Sequence, residues 1–244
     1  MFGRRKAAIL AAEFLGTGVL TLLVLSVQRS TIGVPFFVAL AAGLTVALMV
    51  FSLGSTSGAH LNPAITIAMW TGRKISTLHA VVYVAMQLLG AYAAYYLYTY
   101  FVNNKLQPIG GHFTGRVLTA EAVGAAIFAF AWAAAVYQRF TVGAKAAVVG
   151  LAYMLAVVAA SSASIGLVNP ALALGVRAWV WGTYVLGPVL GAVIGFNLYG
   201  MLFADPETEA VAAKGSSAAV SSTTVKPAAD AKKPAKRQTA AKKK

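Results

Sequence analysis

Ala12-Glu13-Phe14-Leu15-Gly16 returns in this chain as Ala120-Glu121-Ala122-Val123-Gly124, and each copy leads to an Asn-Pro-Ala triplet. The triplets are Asn62-Pro63-Ala64 and Asn169-Pro170-Ala171, and the interval from Glu to Asn is 49 residues in the first copy and 48 in the second. Around this skeleton lie apolar segments at about Ala7–Val27, Val34–Gly54, Leu78–Phe101, Val117–Tyr137, Ala144–Ser162 and Gly182–Ala204. Each is long enough to span roughly 30 Å of hydrocarbon. Three crossings per copy make the two halves, about 4–101 and 117–204, insert in opposite senses, and inverted repeats place a functional site near the bilayer midplane at discontinuous helices.

Two shorter apolar stretches, Ala64–Thr71 and Ala171–Trp179, follow the Asn-Pro dipeptides and are too short to cross. Asn is a preferred N-cap, and Pro at the first helical position costs nothing because its missing N–H has no partner there anyway. Each triplet therefore predicts the start of a half-helix. Non-helical backbone leading into it is tolerable at membrane depth only when buried in protein or lining a water-filled cavity. Each half-helix N-terminus carries roughly half a positive charge. Two of them meeting at the midplane oppose cations, while the Asn62 and Asn169 amides offer hydrogen bonds to a passing oxygen.

Composition agrees on the class. The chain is 59% hydrophobic and 11% charged, against roughly 25% charged in a soluble domain. The formal net charge of +14 suggests nucleic acid at first sight, but nine of the twenty Lys and Arg lie from Lys214 onward. Up to Ala204 the only acidic residues are Glu13 and Glu121, each within an apolar run where an unpaired carboxylate is costly. There is no cysteine, paired-carboxylate site, phosphate loop or metal-ligand spacing, so the chain reads as a non-enzyme with no metal and no cofactor. A secondary transporter is disfavoured because no intramembrane charged cluster is available to couple an ion gradient. The opening Met-Phe-Gly-Arg-Arg-Lys precedes an apolar run too long for a cleaved leader, and it reads as the first membrane helix.

Lys and Arg in the short connections favour one side, seven (Arg4, Arg5, Lys6, Arg73, Lys74, Arg139, Lys145) against four (Arg29, Lys105, Arg116, Arg177). By the positive-inside rule both termini are expected in the cytoplasm, and with no targeting peptide in view the plasma or cytoplasmic membrane is the expected location. Residues 205–244 change to Ala, Lys, Ser, Thr and Pro with a net charge of +5. They are expected to form a disordered, solvated tail. Attraction to anionic lipid ranks second as its role and nucleic-acid contact last, and neither has aromatic support.

Ser57-Gly58-Ala59-His60-Leu61-Asn62-Pro63-Ala64 together with Asn169-Pro170-Ala171 resembles the aquaporin, or major intrinsic protein, family over about Arg4 to Ala204. The resemblance implies an all-α membrane fold, a right-handed bundle of six transmembrane helices plus two half-helices, and a homotetramer with one pore per subunit. It also implies that Glu13 and Glu121 brace the half-helix loops by accepting backbone N–H bonds, and that His60 lines the pore. The sequence departs from the family at the narrow selectivity constriction. Where the family has an arginine after the second triplet, this chain has Leu172, and counting back from the triplets puts Ala42, Val157 and Gly166 at the other constriction positions. All four are small or apolar. The expected function is passive conduction of water and small uncharged solutes such as glycerol or urea. The alternative is a structural membrane protein that keeps the fold and conducts little.

Three further features have plain structural expectations. Gly187, Gly191 and Gly195 recur every four residues and predict close approach of another helix. Trp70, Trp179 and Trp181 are expected as packing or interfacial anchors. Arg177 is expected as a cation at a half-helix C-terminus.

Overall fold

The structure, a computed structural model, describes residues 4–204; the predicted tail lies outside the described residues. Among the described residues eight α-helices form: α1 Arg4–Gln28, α2 Pro35–Ser57, α3 Pro63–Thr71, α4 Thr77–Val102, α5 Gly115–Tyr137, α6 Val142–Ala160, α7 Pro170–Gly175 and α8 Gly187–Phe203. A π-helical turn over Trp181–Leu186 leads directly into α8. Pro188 explains the slip in register, since it lacks the N–H that would have bonded back four residues to Tyr184. Counting that turn with α8, six helices are long and apolar enough to cross a membrane.

Packing follows the sequence repeat. Helix α1 packs on α4 and α2, α5 packs on α8 and α6, and α2 meets α6 across the two halves. The half-helices cross over, α3 packing on α8 and α7 on α4. Each half-helix therefore lies against the last crossing of the other repeat. The α5–α8 seam is the closest: side chains at Gly191 and Gly195 would strike the backbone carbonyls of Ala122 and Ala126. Glycine at these two positions lets the helices touch backbone to backbone. Leu44, Leu48, Phe51, Leu151 and Leu155 are exposed, an apolar band that water would punish and hydrocarbon accommodates.

Both half-helices open and close alike. Asn62 and Asn169 are the N-caps, each Oδ1 accepting from the backbone N–H two residues on, Ala64 at 2.8 Å and Ala171 at 2.9 Å. At the C-terminal ends, Lys74 N–H donates to Met69 O and Ala178 N–H to Ala173 O, both at 2.8 Å, with Arg73 and Arg177 at positive φ between. These are Schellman closures. Helix α7 is six residues long where the apolar pattern predicted about nine, because this closure turns the chain at Arg177. Apolarity continues through Trp179, but hydrogen bonding does not.

Candidate functional site

The two extended segments that enter the half-helices are built to the same plan. In the first, Glu13 on α1 is fully buried, its Oε1 accepting from Ser57 Oγ (2.7 Å) and His60 N–H (3.0 Å) and its Oε2 from Leu61 N–H (2.9 Å) and Gln87 Nε2 (2.8 Å). In the second, Glu121 on α5 is equally buried. Its Oε1 accepts from Ser164 Oγ (2.7 Å) and Leu167 N–H (2.9 Å), and its Oε2 from Val168 N–H (2.6 Å). The same serines also accept from the backbone two residues on, Ala59 at 3.0 Å and Gly166 at 2.8 Å. Every partner of the carboxylates can donate, which an ionised carboxylate, an acceptor only, satisfies fully.

The carboxylates hold a strained backbone. Leu61 and Val168, each just before its Asn, have φ of 52° and 47°. A branched side chain in this left-handed region is a costly conformation that persists only where its surroundings impose it. The hydrogen bonds to Leu61 N–H and Val168 N–H are that imposition. Their consequence is to turn the preceding carbonyls across the molecule, where Asn62 Nδ2 donates to Val168 O at 2.9 Å and Asn169 Nδ2 donates to Leu61 O at 3.0 Å. Each Asn thus caps its own half-helix and clasps the other repeat. The Asn169 side chain also hydrogen-bonds the buried Tyr153, whose Oη donates to Leu167 O at 2.9 Å, while the Asn62 amide has one protein acceptor among the described residues. Asn62→Ala or Asn169→Ala loses a cap and a cross-bond and is expected to cost about 1–3 kcal/mol. The double variant should depart from additivity by about 0.5–1 kcal/mol, measured by thermal unfolding in detergent.

His60 is buried beside Asn62. Its Nδ1 lies 3.2 Å from Thr66 Oγ1, and its ring meets Tyr83 and Trp132 edge-on at 5.2 and 5.7 Å. Of the four constriction candidates, the structure brings Gly166 against Val157: a side chain at Gly166, whose φ is 66°, would come within 2.7 Å of Val157 O. Ala42 on α2 and Leu172 on α7 are both buried. Arg177 is exposed on the flank of α4, its Nη1 3.4 Å from Tyr95 Oη. The α7 C-terminus has a second cation nearby, since Arg29 Nη2 donates to Val176 O at 3.3 Å and to Gln107 O at 3.2 Å. Trp70, Trp179 and Trp181 are exposed near helix ends, and Trp70 Nε1 donates to Thr77 Oγ1 at 3.0 Å.

Several residues here carry no motif. Ser164 lies five residues before Asn169 as Ser57 does before Asn62, a match visible only once the repeats are overlaid, and Gln87 is a lone amide in an apolar crossing. Trp132 gives no sequence signal that separates it from the other aromatics. Lys145 reads from sequence as one more loop charge.

Comparison with known proteins fits this geometry. The major intrinsic protein family model matches residues 4–199. Aquaporin Z of Photorhabdus laumondii is 31% identical over 228 residues, covering 81% of this chain and 98% of that protein. Aquaporin AqpM of Methanothermobacter thermautotrophicus is 29% identical over 183 residues, covering 66% of this chain and 74% of that one. Among solved structures, the aquaglyceroporin from Plasmodium falciparum superposes with a TM-score of 0.70 at 21% identity, covering 84% of this chain and 99% of its own, a likeness of fold. With six spanning helices, two capped half-helices and a match along nearly all the described residues, this chain is an integral multi-pass membrane protein belonging to the major intrinsic protein family.

Proposed function

We propose that this protein is a passive channel for water and small uncharged solutes of the glycerol or urea kind, with its pore centred on Asn62 and Asn169. The observation that carries this reading is the reciprocal clasp. It brings two helix N-termini together within a membrane protein, with an asparagine amide from each repeat at the junction. An oxygen passing that point meets the positive ends of two helices beside amide donors, so water and hydroxyls are favoured and cations opposed. Named relatives that are aquaporins support the same reading. Glu13 and Glu121 brace the pore loops, and His60 lines the half on the N-terminal side. Ala42, Val157, Gly166 and Leu172 form the constriction, and their small, apolar side chains make it wide and weakly polar. The subunits assemble as a homotetramer, with both termini on the cytoplasmic side.

Stopped-flow shrinkage of proteoliposomes under sucrose, glycerol and urea gradients tests the proposal. Water permeability at least several-fold above protein-free liposomes is expected, together with measurable glycerol or urea entry. Rates equal to empty liposomes for every solute would leave the non-conducting, structural role. Leu172→Arg narrows the constriction and adds a cation there, so glycerol and urea entry should fall about tenfold while water falls less. Unchanged solute entry would remove Leu172 from the constriction.

A further inference from the structure

Lys145 sits one turn into α6, within the helix's N-terminal end. A cation there opposes the helix dipole, and a lysine near a membrane helix end ordinarily snorkels outward to water. Lys145 stays at this unfavourable end of the dipole and turns inward instead. Its side chain is half-buried, with Nζ 4.3 Å from the centre of the Trp132 ring and 3.3 Å from Gly58 O. Gly58 opens the extended segment that ends at Asn62, and the Nε2 edge of the His60 ring lies against Gly58. The ammonium, a pore-loop carbonyl, a histidine edge and a tryptophan face thus converge at the end of the first loop nearest the N-terminal side.

Two details connect this cluster to the path of the solute. Trp132 is fully buried, yet its Nε1–H has no acceptor among the described residues; a buried donor in that state is one that a passing oxygen satisfies. The ammonium has three N–H donors and uses one on Gly58 O, so it too has donors to spare. Glu13, the carboxylate that acts on Lys145 through space, gives its hydrogen-bond acceptors to four other groups and makes no direct contact with the ammonium among the described residues.

We propose that Lys145 is a specificity-determining residue of this channel: held over Trp132 beside the pore loop, its fixed positive charge repels cations at the mouth on the N-terminal side. The proposal rests on the channel reading above. It gives the pore an electrostatic barrier away from the apolar constriction, where Leu172 supplies no charge. A unit charge within about 10 Å at an effective dielectric near 20 changes a monovalent cation's flux roughly tenfold.

The chain has no cysteine, so Lys145→Cys provides a single thiol that can be modified before reconstitution. Proteoliposomes are assayed for water permeability by stopped flow and for sodium efflux with an indicator dye. Lys145→Cys should keep water permeability within about twofold of the parent and raise sodium efflux about tenfold. Aminoethyl methanethiosulfonate, which restores an ammonium, should return efflux to the parent value, and the uncharged methyl reagent should not. Lys145→Arg should behave as the parent. Equal block by both reagents, or no added efflux in Lys145→Cys liposomes that still conduct water, overturns the role of the charge and leaves the channel reading standing. If Lys145→Cys loses water conduction, Lys145→Arg and the two modified forms decide: recovery with either charged group and not with the methyl adduct supports the proposal, and any other pattern overturns it. Parent liposomes no faster than empty ones overturn the channel reading, and this proposal with it.

Discussion

Glu13→Ala is expected to cost at least about 3 kcal/mol of stability, because each buried donor left without its acceptor costs about 1–3 kcal/mol. Four donors lose their acceptor at once: Ser57 Oγ, the N–H groups of His60 and Leu61, and Gln87 Nε2. Two of these are backbone groups in a loop that cannot rearrange without breaking the Asn62 cap. The left-handed conformation at Leu61 loses the bond that holds it, and the Leu61 carbonyl no longer aims at Asn169. Glu13→Gln keeps the shape but places an NH2 group against donors, and should recover only part of the loss. Thermal unfolding in detergent, followed by size-exclusion chromatography, measures stability, and stopped-flow water permeability measures the loop. A loss under about 1 kcal/mol would mean that the carboxylate does not hold the loop. Glu121→Ala should behave alike, since its partners repeat the pattern.

Gly191→Val should be as damaging for a different reason. The new Cβ would overlap the Ala122 carbonyl oxygen, a backbone atom that no rotamer change can move. Helices α5 and α8 would have to separate along the seam that Gly195 and Ala126 continue. Overpacking usually costs 1–3 kcal/mol, and a backbone collision belongs at or above about 3 kcal/mol. The expected result is little monodisperse protein after extraction. Gly143→Ala is the matching control: a Cβ there meets nothing within 4 Å, and an alanine in a helix is favoured over glycine by up to about 1 kcal/mol. Gly191→Val protein that is as monodisperse and thermostable as Gly143→Ala protein would show that the seam is not needed.

Much of the architecture was legible from residues alone because it depends on local chemistry. Apolar length set the crossings, Asn-Pro set where the half-helices begin, and the recurrence of Ala-Glu marked two carboxylates in places too costly to be accidental. The sixth crossing begins one residue earlier than its apolar run indicated, through a π turn governed by Pro188. Helix α7 ends earlier than its apolarity, because composition carries no information about which carbonyl a turn will close on.

The sequence by itself determined an inverted-repeat membrane fold with two helix starts aimed at its middle. Tertiary structure alone decided what those starts do to each other. The exchange of Asn62 and Asn169 with Val168 O and Leu61 O joins residues 106 and 108 positions apart, and it exists only because two left-handed residues turn their carbonyls inward. Gln87, 74 positions from Glu13, and Lys145, 87 positions from Gly58, join the segment that leads into α3 in the same way. Local periodicity reports which face of a helix is apolar; it does not report which distant backbone that face will meet. A lysine that counted only toward topology in the sequence becomes, in three dimensions, an ammonium held against Gly58 O and the Trp132 ring.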